Sequence, residues 1–255
     1  MPGLMEKIKN EITFENVLMG AIKTPGVKIN RDVFLRKELK KYYPEIVINE
    51  AIVYNPAKAG VPLDMVNKIA KSVVEYETNK VTALSFTASL SSSVNPTLAV
   101  GSATMDITSY FAHILRVVQE LAYLYGFDEF DLREDDLDSE TLNQLLVFVG
   151  VMFGVSGANK ALTKLAESAA AQTAKRLAQQ ALTKGTLYPI VKTIAKTVGI
   201  TMTKQIFADT VASAIPLLGS VASGGLTYAM FKPRCLKLRD TLSEYPLCNP
   251  RFYIT

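Results

Sequence analysis

The stretch TVASAIPLLGSVASGGLTYAMF at Thr210–Phe231 runs for twenty-two residues without a charged side chain. About 20 helical residues cross the hydrocarbon layer of a bilayer, so the length of this stretch permits a membrane span. More than half of it is Ser, Thr, Gly or Ala, however, and Pro216 removes a backbone donor near its first third. The composition therefore favours a helix that packs closely against others in a bundle, or one that enters a membrane conditionally.

Four residues inside this stretch predict a hinge between two short helical halves. A proline followed by a nearby glycine interrupts a helix, because proline lacks the backbone N–H and glycine does not restrict the backbone. The predicted hinge consists of Pro216, Leu217, Leu218 and Gly219. The same residues are the candidates for contact with a membrane.

Two further runs lack charged residues, Val81–Met105 and Thr141–Asn159. The first contains the phrase SLSSSVNP, a poor helix interior, because serines compete for backbone hydrogen bonds and Pro96 disfavours a helical residue before it. We expect a helical hairpin with its bend in that phrase. No run of alternating β-branched residues predicts a strand. The predicted fold class is all-α, a multi-helix bundle built around long apolar helical hairpins.

The first 60 residues differ from the rest because helix breakers divide them into short segments. Thr24-Pro25-Gly26 ends the first helix, Asn30 is a suitable cap for the second, and Pro44 precedes a third at Glu45–Val53. We expect an N-terminal short-helix region over residues 1–60 and a helical bundle over residues 61–255, either as two regions or as one continuous domain.

Composition places the chain between soluble and polytopic membrane proteins, with 49% hydrophobic residues and a mean hydropathy of +0.17. The start, MPGLMEKIKNEI, lacks a continuous apolar segment, so we expect no signal peptide. Cys235 and Cys248 do not have CxxC spacing, which favours a reducing compartment and argues against structural zinc. The predicted location is the cytoplasm, at the inner face of the cell membrane if the protein is peripheral to it.

The formal net charge of +4 is unevenly distributed. Residues 128–140 hold eight acids and one base, which leaves +11 for the remainder of the chain. Part of this excess is a predicted basic surface of Lys160, Lys164, Lys175, Arg176 and Lys184. That surface is either an ordinary solvated helix face or a site for anionic lipid, where each lysine contributes about 1 kcal/mol.

The same composition restricts the partners. Trp is absent and no segment interleaves aromatic with basic residues in the way that stacks bases, so we expect no nucleic-acid partner. Basic side chains attract anionic headgroups equally well. The expected partner is anionic membrane lipid or a membrane protein, and the sequence leaves the oligomeric state open.

His113 is the single histidine, and polar residues surround it at helical spacing. Asp106, His113, Arg116 and Glu120 fall near one face of a helix. One interpretation is a hydrolase or ion-dependent enzyme centred on Asp106, His113 and Glu120, since carboxylates beside an imidazole shift its titration. The other is an internal hydrogen-bonded network. No nucleophile is placed to complete a triad and no phosphate-binding loop occurs, which favours a non-enzymatic protein without cofactor or metal.

Six sequence segments, spread over most of the chain, are similar in residue type and order to one protein family. They are PGVKINRDVFLRKELKKY at Pro25–Tyr42, NPAKAGVPLDMVNKIA at Asn55–Ala70, SYFAHILRVVQELAYLYGF at Ser109–Phe127, FVGVMFGVSGANKAL at Phe148–Leu162, LTKGTLYPIVKTIAK at Leu182–Lys196, and IPLLGSVASGGLTYAMFKP at Ile215–Pro233. Together they resemble the EcsC family of bacterial proteins. One departure is SSSVNPTLAVGSATMD, which keeps Asp106 but lacks the glycine pair and the proline of the family's turn.

The resemblance implies a helical, often membrane-associated protein without an established catalytic activity. The family's gene neighbourhood beside an ABC exporter implies a further alternative, an interaction module for a membrane transporter or secretion system. The leading hypothesis from the sequence is a non-enzymatic, peripherally membrane-associated helical protein. Its neutral helices pack inside a bundle and expose or insert on an anionic membrane.

Overall fold

A computed structural model describes residues 14–94, 99–132, 139–155, 157–178 and 224–254. Within these ranges there are eight α-helices and two short 3-10 helices, and no strand. The α-helices are α1 (Phe14–Lys23), α2 (Arg31–Leu39), α3 (Glu45–Val53), α4 (Leu63–Val94), α5 (Ala99–Leu124), α6 (Ser139–Phe153), α7 (Ala158–Ala178) and α8 (Gly224–Ser243). The predicted all-α fold class is confirmed.

The three short N-terminal helices begin and end near the breakers in the sequence. Asn30 caps α2, because its side-chain oxygen accepts the backbone N–H of Val33 at 2.9 Å. Helix α3 begins directly after Pro44 and has the predicted bounds. Short helices gain most of their stability from packing, and side chains of these helices belong to the same buried core as those of the longer ones. The boundary at residue 60 stays a prediction.

A buried arginine at the start of α2 caps the C-terminal end of α3. Arg31 is 4% exposed, and its guanidinium donates to the carbonyls of Ala51, Ile52 and Tyr54 at 2.7 to 3.3 Å. Its Nε donates to the carbonyl of Phe127 at 3.1 Å. The last carbonyls of a helix have no partner within the helix and carry partial negative charge, which a cation offsets. Arg31 therefore joins α2, α3 and the end of α5.

Helices α4 and α5 form the predicted hairpin. They are antiparallel, since Tyr125 near the end of α5 donates to Asn67 near the start of α4 at 2.6 Å, while His113 meets Glu77 further along. Helix α4 continues through the serines to Val94 and α5 begins at Ala99, and the last two residues of the phrase predicted to bend, Asn95 and Pro96, lie outside the described residues.

Helix α5 lies at the centre of the bundle, in contact with α1, α2, α4, α6 and α8. Its second half is buried on nearly every side, which is the pattern of a helix surrounded by others. Fully buried side chains include Ile114, Leu115, Val118 and Leu121. The helix ends at Leu124, and Gly126, two residues later, has a φ of +101°, a left-handed conformation that glycine adopts readily.

The last described helix corrects one boundary. The neutral stretch ends at Phe231, but α8 continues past that residue and runs from Gly224 to Ser243 with Pro233 inside it. A proline inside a helix costs about 3 kcal/mol, and the extensive packing of α8 on α4 and α5 offsets that cost. Residues 179–223 lie outside the described ranges, and with them the predicted hinge of Pro216, Leu217, Leu218 and Gly219.

The C-terminal segment folds back onto the N-terminal half. After the 3-10 helices Pro246–Cys248 and Pro250–Tyr253, the hydroxyl of Tyr253 accepts from the buried side chain of Asn55 and donates to the carbonyl of Leu247, both at 3.0 Å. Among the described residues no helix has both the length and the hydropathy that a bilayer crossing requires.

Candidate functional site

Four charged or titratable side chains meet between α4 and α5 and are named here the buried ion cluster: Glu77, His113, Arg116 and Glu120. The Nδ1 atom of His113 donates to Oε2 of Glu77 at 2.8 Å, and Nε of Arg116 donates to Oε1 of Glu77 at 3.0 Å. The other side of the Arg116 guanidinium lies 3.3 Å from Oε1 of Glu120. Arg116 therefore bridges two carboxylates on different helices.

The helical spacing explains three of these positions. His113, Arg116 and Glu120 are three and four residues apart on α5, so they project from one face, as the sequence indicated. Glu77 was missed. It lies on the inward side of α4, the side that also carries Val73, Val74 and Val81. An acid at an otherwise apolar helical spacing could have indicated a buried charged residue.

Asp106 is the fourth residue of the predicted cluster. It lies within α5, two helical turns before His113, but its side chain is outside the part of the chain whose side chains are described. Of the four predicted residues, His113, Arg116 and Glu120 therefore lie together, and α4 supplies the acid with which His113 and Arg116 pair.

The two carboxylates of the cluster have opposite electrostatic environments. Burial by itself would raise the pKa of Glu77, but the hydrogen bond from His113 and the charge of Arg116 outweigh it and lower that pKa. For Glu120, burial and the nearby charge of Glu77 raise the pKa to about 8, against the attraction of Arg116. The environment therefore favours the ionised form of Glu77 and the protonated form of Glu120.

Glu120 also has an oxygen without a hydrogen bond. Its Oε2 atom is buried and has no partner among the described residues. Lys37 and Glu38 of α2 are close enough to act on Glu120 electrostatically, with opposite signs. Glu38 is itself buried and pairs with Lys41, and its other oxygen lies 3.4 Å from Lys37. The environment of Glu120 is thus charged but gives its second oxygen no donor.

The cluster also holds the loop between α1 and α2. Arg116 donates to the carbonyl of Gly26. The next polar residue on α5, Gln119, donates to the carbonyl of Val27 at 2.9 Å and accepts the N–H of Ile29 at 3.0 Å. Gln119 is fully buried, and sequence reasoning did not identify it. These contacts fix the loop Thr24–Asn30 to the centre of the bundle.

The chemistry available to the buried ion cluster is that of a charge-balanced interior network. His113 is 6% exposed, and one ring nitrogen is bonded to a carboxylate with no exposure. Cys235 on α8 lies nearby, but burial raises the pKa of its thiol well above the usual value, so it is not an activated nucleophile. In the described parts of the chain, no group of three or more His, Cys, Asp or Glu side chains could hold a metal ion.

A second group of charges lies on the outside of α2, of the turn that follows it, and of α4, and is named here the basic–aromatic face. It comprises Lys37, Lys41, Tyr42, Lys68, Tyr76 and Lys80. The Nζ atoms of Lys37 and Lys80 are 5.8 and 5.9 Å from the ring centroid of Tyr76. The Nζ atom of Lys68 is 5.1 Å from the ring centroid of Tyr42.

The two rings of this face are exposed, Tyr76 by 59% and Tyr42 by 42%. Lys68, Tyr76 and Lys80 are separated by multiples of four residues and so share one side of α4. Sequence reasoning missed this face, because Lys37 and Tyr76 come together only when α2 packs beside α4. The regular spacing along α4 was the available signal.

The basic surface predicted on α7 is only partly described. Lys160 is exposed and Lys164 is half-buried. Lys175 and Arg176 belong to α7, but their side chains are outside the described set, and Lys184 lies beyond the described residues. The basic surface on α7 therefore stays a prediction.

Searches of protein-family models, curated proteins and solved structures found no significant match to the chain.

Proposed function

We propose that this protein binds the surface of anionic membranes through the basic–aromatic face. The observation that supports the proposal is the exposed pair of tyrosine rings, with two lysine ammonium groups beside Tyr76 and one beside Tyr42. Tyrosine rings are favoured at the headgroup level of a bilayer, because one end is apolar and the other polar. Lysines around them contribute about 1 kcal/mol each toward an anionic surface.

The charge balance of this face favours an anionic partner. Lys68 and Lys80 have no acidic partner within ion-pair distance among the described residues. Glu38, the acid nearest to Lys37 and Lys41, is buried beneath them, with 7% side-chain exposure. The four lysines therefore outnumber the acids near this face, Glu38 and Asp64, and the excess positive charge complements phosphate headgroups.

Surface attachment does not require a membrane-spanning helix. Insertion of the neutral stretch Thr210–Phe231 is a stronger form of the proposal, and most of that stretch lies outside the described residues. The hydrolase alternative requires a substrate to reach His113, whose side chain is buried against Glu77. We therefore place the function at the outer face and not at the buried ion cluster.

Vesicle co-flotation tests the proposal. Purified protein is mixed with vesicles of phosphatidylcholine alone or with added phosphatidylglycerol, at low and high salt. We expect binding only to the anionic vesicles, and weaker binding at high salt, where charges are screened. No binding to anionic vesicles at low salt would contradict the proposal, and so would tighter binding to single-stranded RNA than to those vesicles.

Charge-reversal variants locate the surface. Replacing both Lys68 and Lys80 by Glu is expected to reduce the partition coefficient by at least about 25-fold, from about 1 kcal/mol for each lysine lost. Lys160→Glu on α7 is the control, since it reverses an exposed lysine on another helix. An equal or larger loss for Lys160→Glu would assign binding to the α7 surface instead. Because these vesicles contain only lipid, binding to them would show that the partner is lipid and not a membrane protein.

A further inference from the structure

We infer that two exposed apolar side chains, Val33 and Leu84, enter the hydrocarbon layer of the membrane at one end of the basic–aromatic face. This inference rests on the proposed function, because it concerns how the same face meets a bilayer. It names the acyl chains, in addition to the headgroups, as a binding partner of the face. The side chain of Val33 is 67% exposed and that of Leu84 is 47% exposed.

Both side chains continue the basic–aromatic face. Leu84 lies one helical turn after Lys80 on α4 and is on the same side of that helix. Val33 lies one turn before Lys37 on α2 and shares the side of Lys37 in the same way. The ammonium groups of these two lysines are 5.8 and 5.9 Å from the ring centroid of Tyr76. The apolar side chains therefore adjoin this face and do not form a separate surface.

The two apolar side chains lie toward the same end of the face. Lys37 of α2 lies beside Tyr76 of α4. Tyr42, which comes later in the chain, lies beside Lys68, which comes earlier on α4. The chain from α2 into the following turn therefore runs opposite to α4. Val33, near the start of α2, accordingly lies toward the far end of the face, beyond Tyr76.

The chemical character of the face changes along α4. One end carries the ammonium group of Lys68, the middle carries the ring of Tyr76 between two lysines, and the far end carries the exposed Leu84. The run without charged residues, Val81–Met105, begins at this far end. Lys68 and Leu84 are sixteen residues apart, which is about 24 Å along a helix. A tilted approach therefore brings the apolar end below the headgroups while the cationic end stays among them.

Each part of the face then meets the layer of the bilayer that it favours. Apolar side chains are stabilised in proportion to the area that leaves water. A tyrosine ring is favoured at the boundary between acyl chains and headgroups, and lysine stems extend along apolar surface while the ammonium groups stay at the phosphates. A nucleic-acid backbone would match the lysines but has no apolar layer for Val33 and Leu84. A bilayer is the partner that fits both parts.

Vesicle co-flotation of the full chain carrying both Val33→Ser and Leu84→Ser tests the inference. On vesicles of phosphatidylcholine with phosphatidylglycerol, we expect the partition coefficient to fall about 25-fold, since burial of about half of such a side chain contributes about fivefold. The control carries Ile46→Ser and Val53→Ser, at positions 77% and 61% exposed on α3. It should bind as the wild type does. Neither pair of substitutions should shift the urea midpoint, because the replaced side chains are exposed.

Fluorescence quenching measures the depth directly. Leu84→Cys is labelled with an environment-sensitive fluorophore, and the natural thiols of Cys235 and Cys248 are buried in the folded chain. Lipid with a spin label on its acyl chain should quench this fluorophore more than lipid with a spin label on its headgroup. Ser72→Cys, at an exposed position nearer the cationic end of α4, is the comparison and should show the opposite preference.

The outcomes separate this inference from the proposed function. No flotation of the wild type with anionic vesicles would contradict both. Wild-type flotation that is reduced by charge reversal of Lys68 and Lys80, but unchanged by Val33→Ser with Leu84→Ser, would overturn the inference alone. A label at position 84 that acyl-chain spin labels do not quench would have the same meaning. An equal loss of binding for the α3 control would also contradict the inference, because the effect would then not be specific to this end of the face.

Discussion

The buried ion cluster and the basic–aromatic face contain similar residue types and lie on neighbouring sides of α4, yet their charges have different environments. In the cluster, Glu77 has no exposure and each of its oxygens receives a charged or ring N–H donor. On the face, the ammonium groups lie beside exposed rings at 5.1 to 5.9 Å. Low dielectric strengthens interactions in the first region, and water and salt weaken them in the second.

Adjacent positions on one helix can therefore have separate roles. Tyr76 points to solvent, whereas Glu77, the next residue, points into the bundle. Interior charges must be matched to one another, so they determine how the helices fit together. Exterior charges can exchange their partners at little cost, so they are available to a ligand. The following four predictions compare these two environments, from the largest expected effect to the smallest.

Removal of the shared acid should have the largest effect. Glu77→Ala leaves Arg116 and His113 without their buried partner, and breaking a buried pair typically costs about 3–5 kcal/mol of unfolding free energy. Glu75→Ala is the matched control on the same helix, because Glu75 pairs with Lys232 at a partly exposed site and its loss should cost about 0–1 kcal/mol. Urea denaturation measures both values. Equal losses would show that burial does not distinguish the two regions.

Replacement of the bridging arginine should have an intermediate effect. Arg116→Lys retains the charge but removes the planar fork that reaches two carboxylates and a carbonyl. We expect a loss of about 2 kcal/mol, the value of a hydrogen bond to a charged group. Arg36→Lys, which alters the exposed pair with Glu45, is the control and should cost less than about 0.5 kcal/mol. A lysine tolerated equally at both sites would contradict the bridging role.

The acid limb of the stability profile should come partly from Glu77. Its folded pKa is lower than its ordinary value of 4.5, so its stabilisation is fully present above pH 4.5. That stabilisation is lost as the pH falls toward the folded pKa, at up to about 1.4 kcal/mol per unit. Thermal unfolding between pH 5 and pH 3 should therefore show a shallower decline for Glu77→Gln than for the wild type. Parallel profiles would assign the acid sensitivity to other carboxyl groups.

The smallest effect on stability is expected at the face. Tyr76→Ala removes a ring that is 59% exposed and two lysine contacts, so we expect a loss below about 1 kcal/mol in urea denaturation. Tyr123→Ala, at a fully buried tyrosine, should cost about 3–5 kcal/mol and serves as the contrast. A large loss at Tyr76 would mean that the face supports the fold and is not free for a partner.

Local sequence determined a large part of the fold. The Asn30 cap, the limits of α3 and the turn at Gly126 all depend on interactions between residues close in the chain. Such interactions can be deduced from residue type and spacing. The face of α5 that contains His113, Arg116 and Glu120 follows from helical periodicity in the same way.

The partners of the residues on these helix faces depend on tertiary structure. The pairing of Glu77 with His113 and Arg116 depends on the register between α4 and α5, and the meeting of Lys37 with Tyr76 depends on how α2 lies against α4. The continuity of α8 through Pro233 likewise depends on packing against α4. Periodicity gives the face of a helix but not the partner of that face, because the partner is selected by contacts distant in sequence.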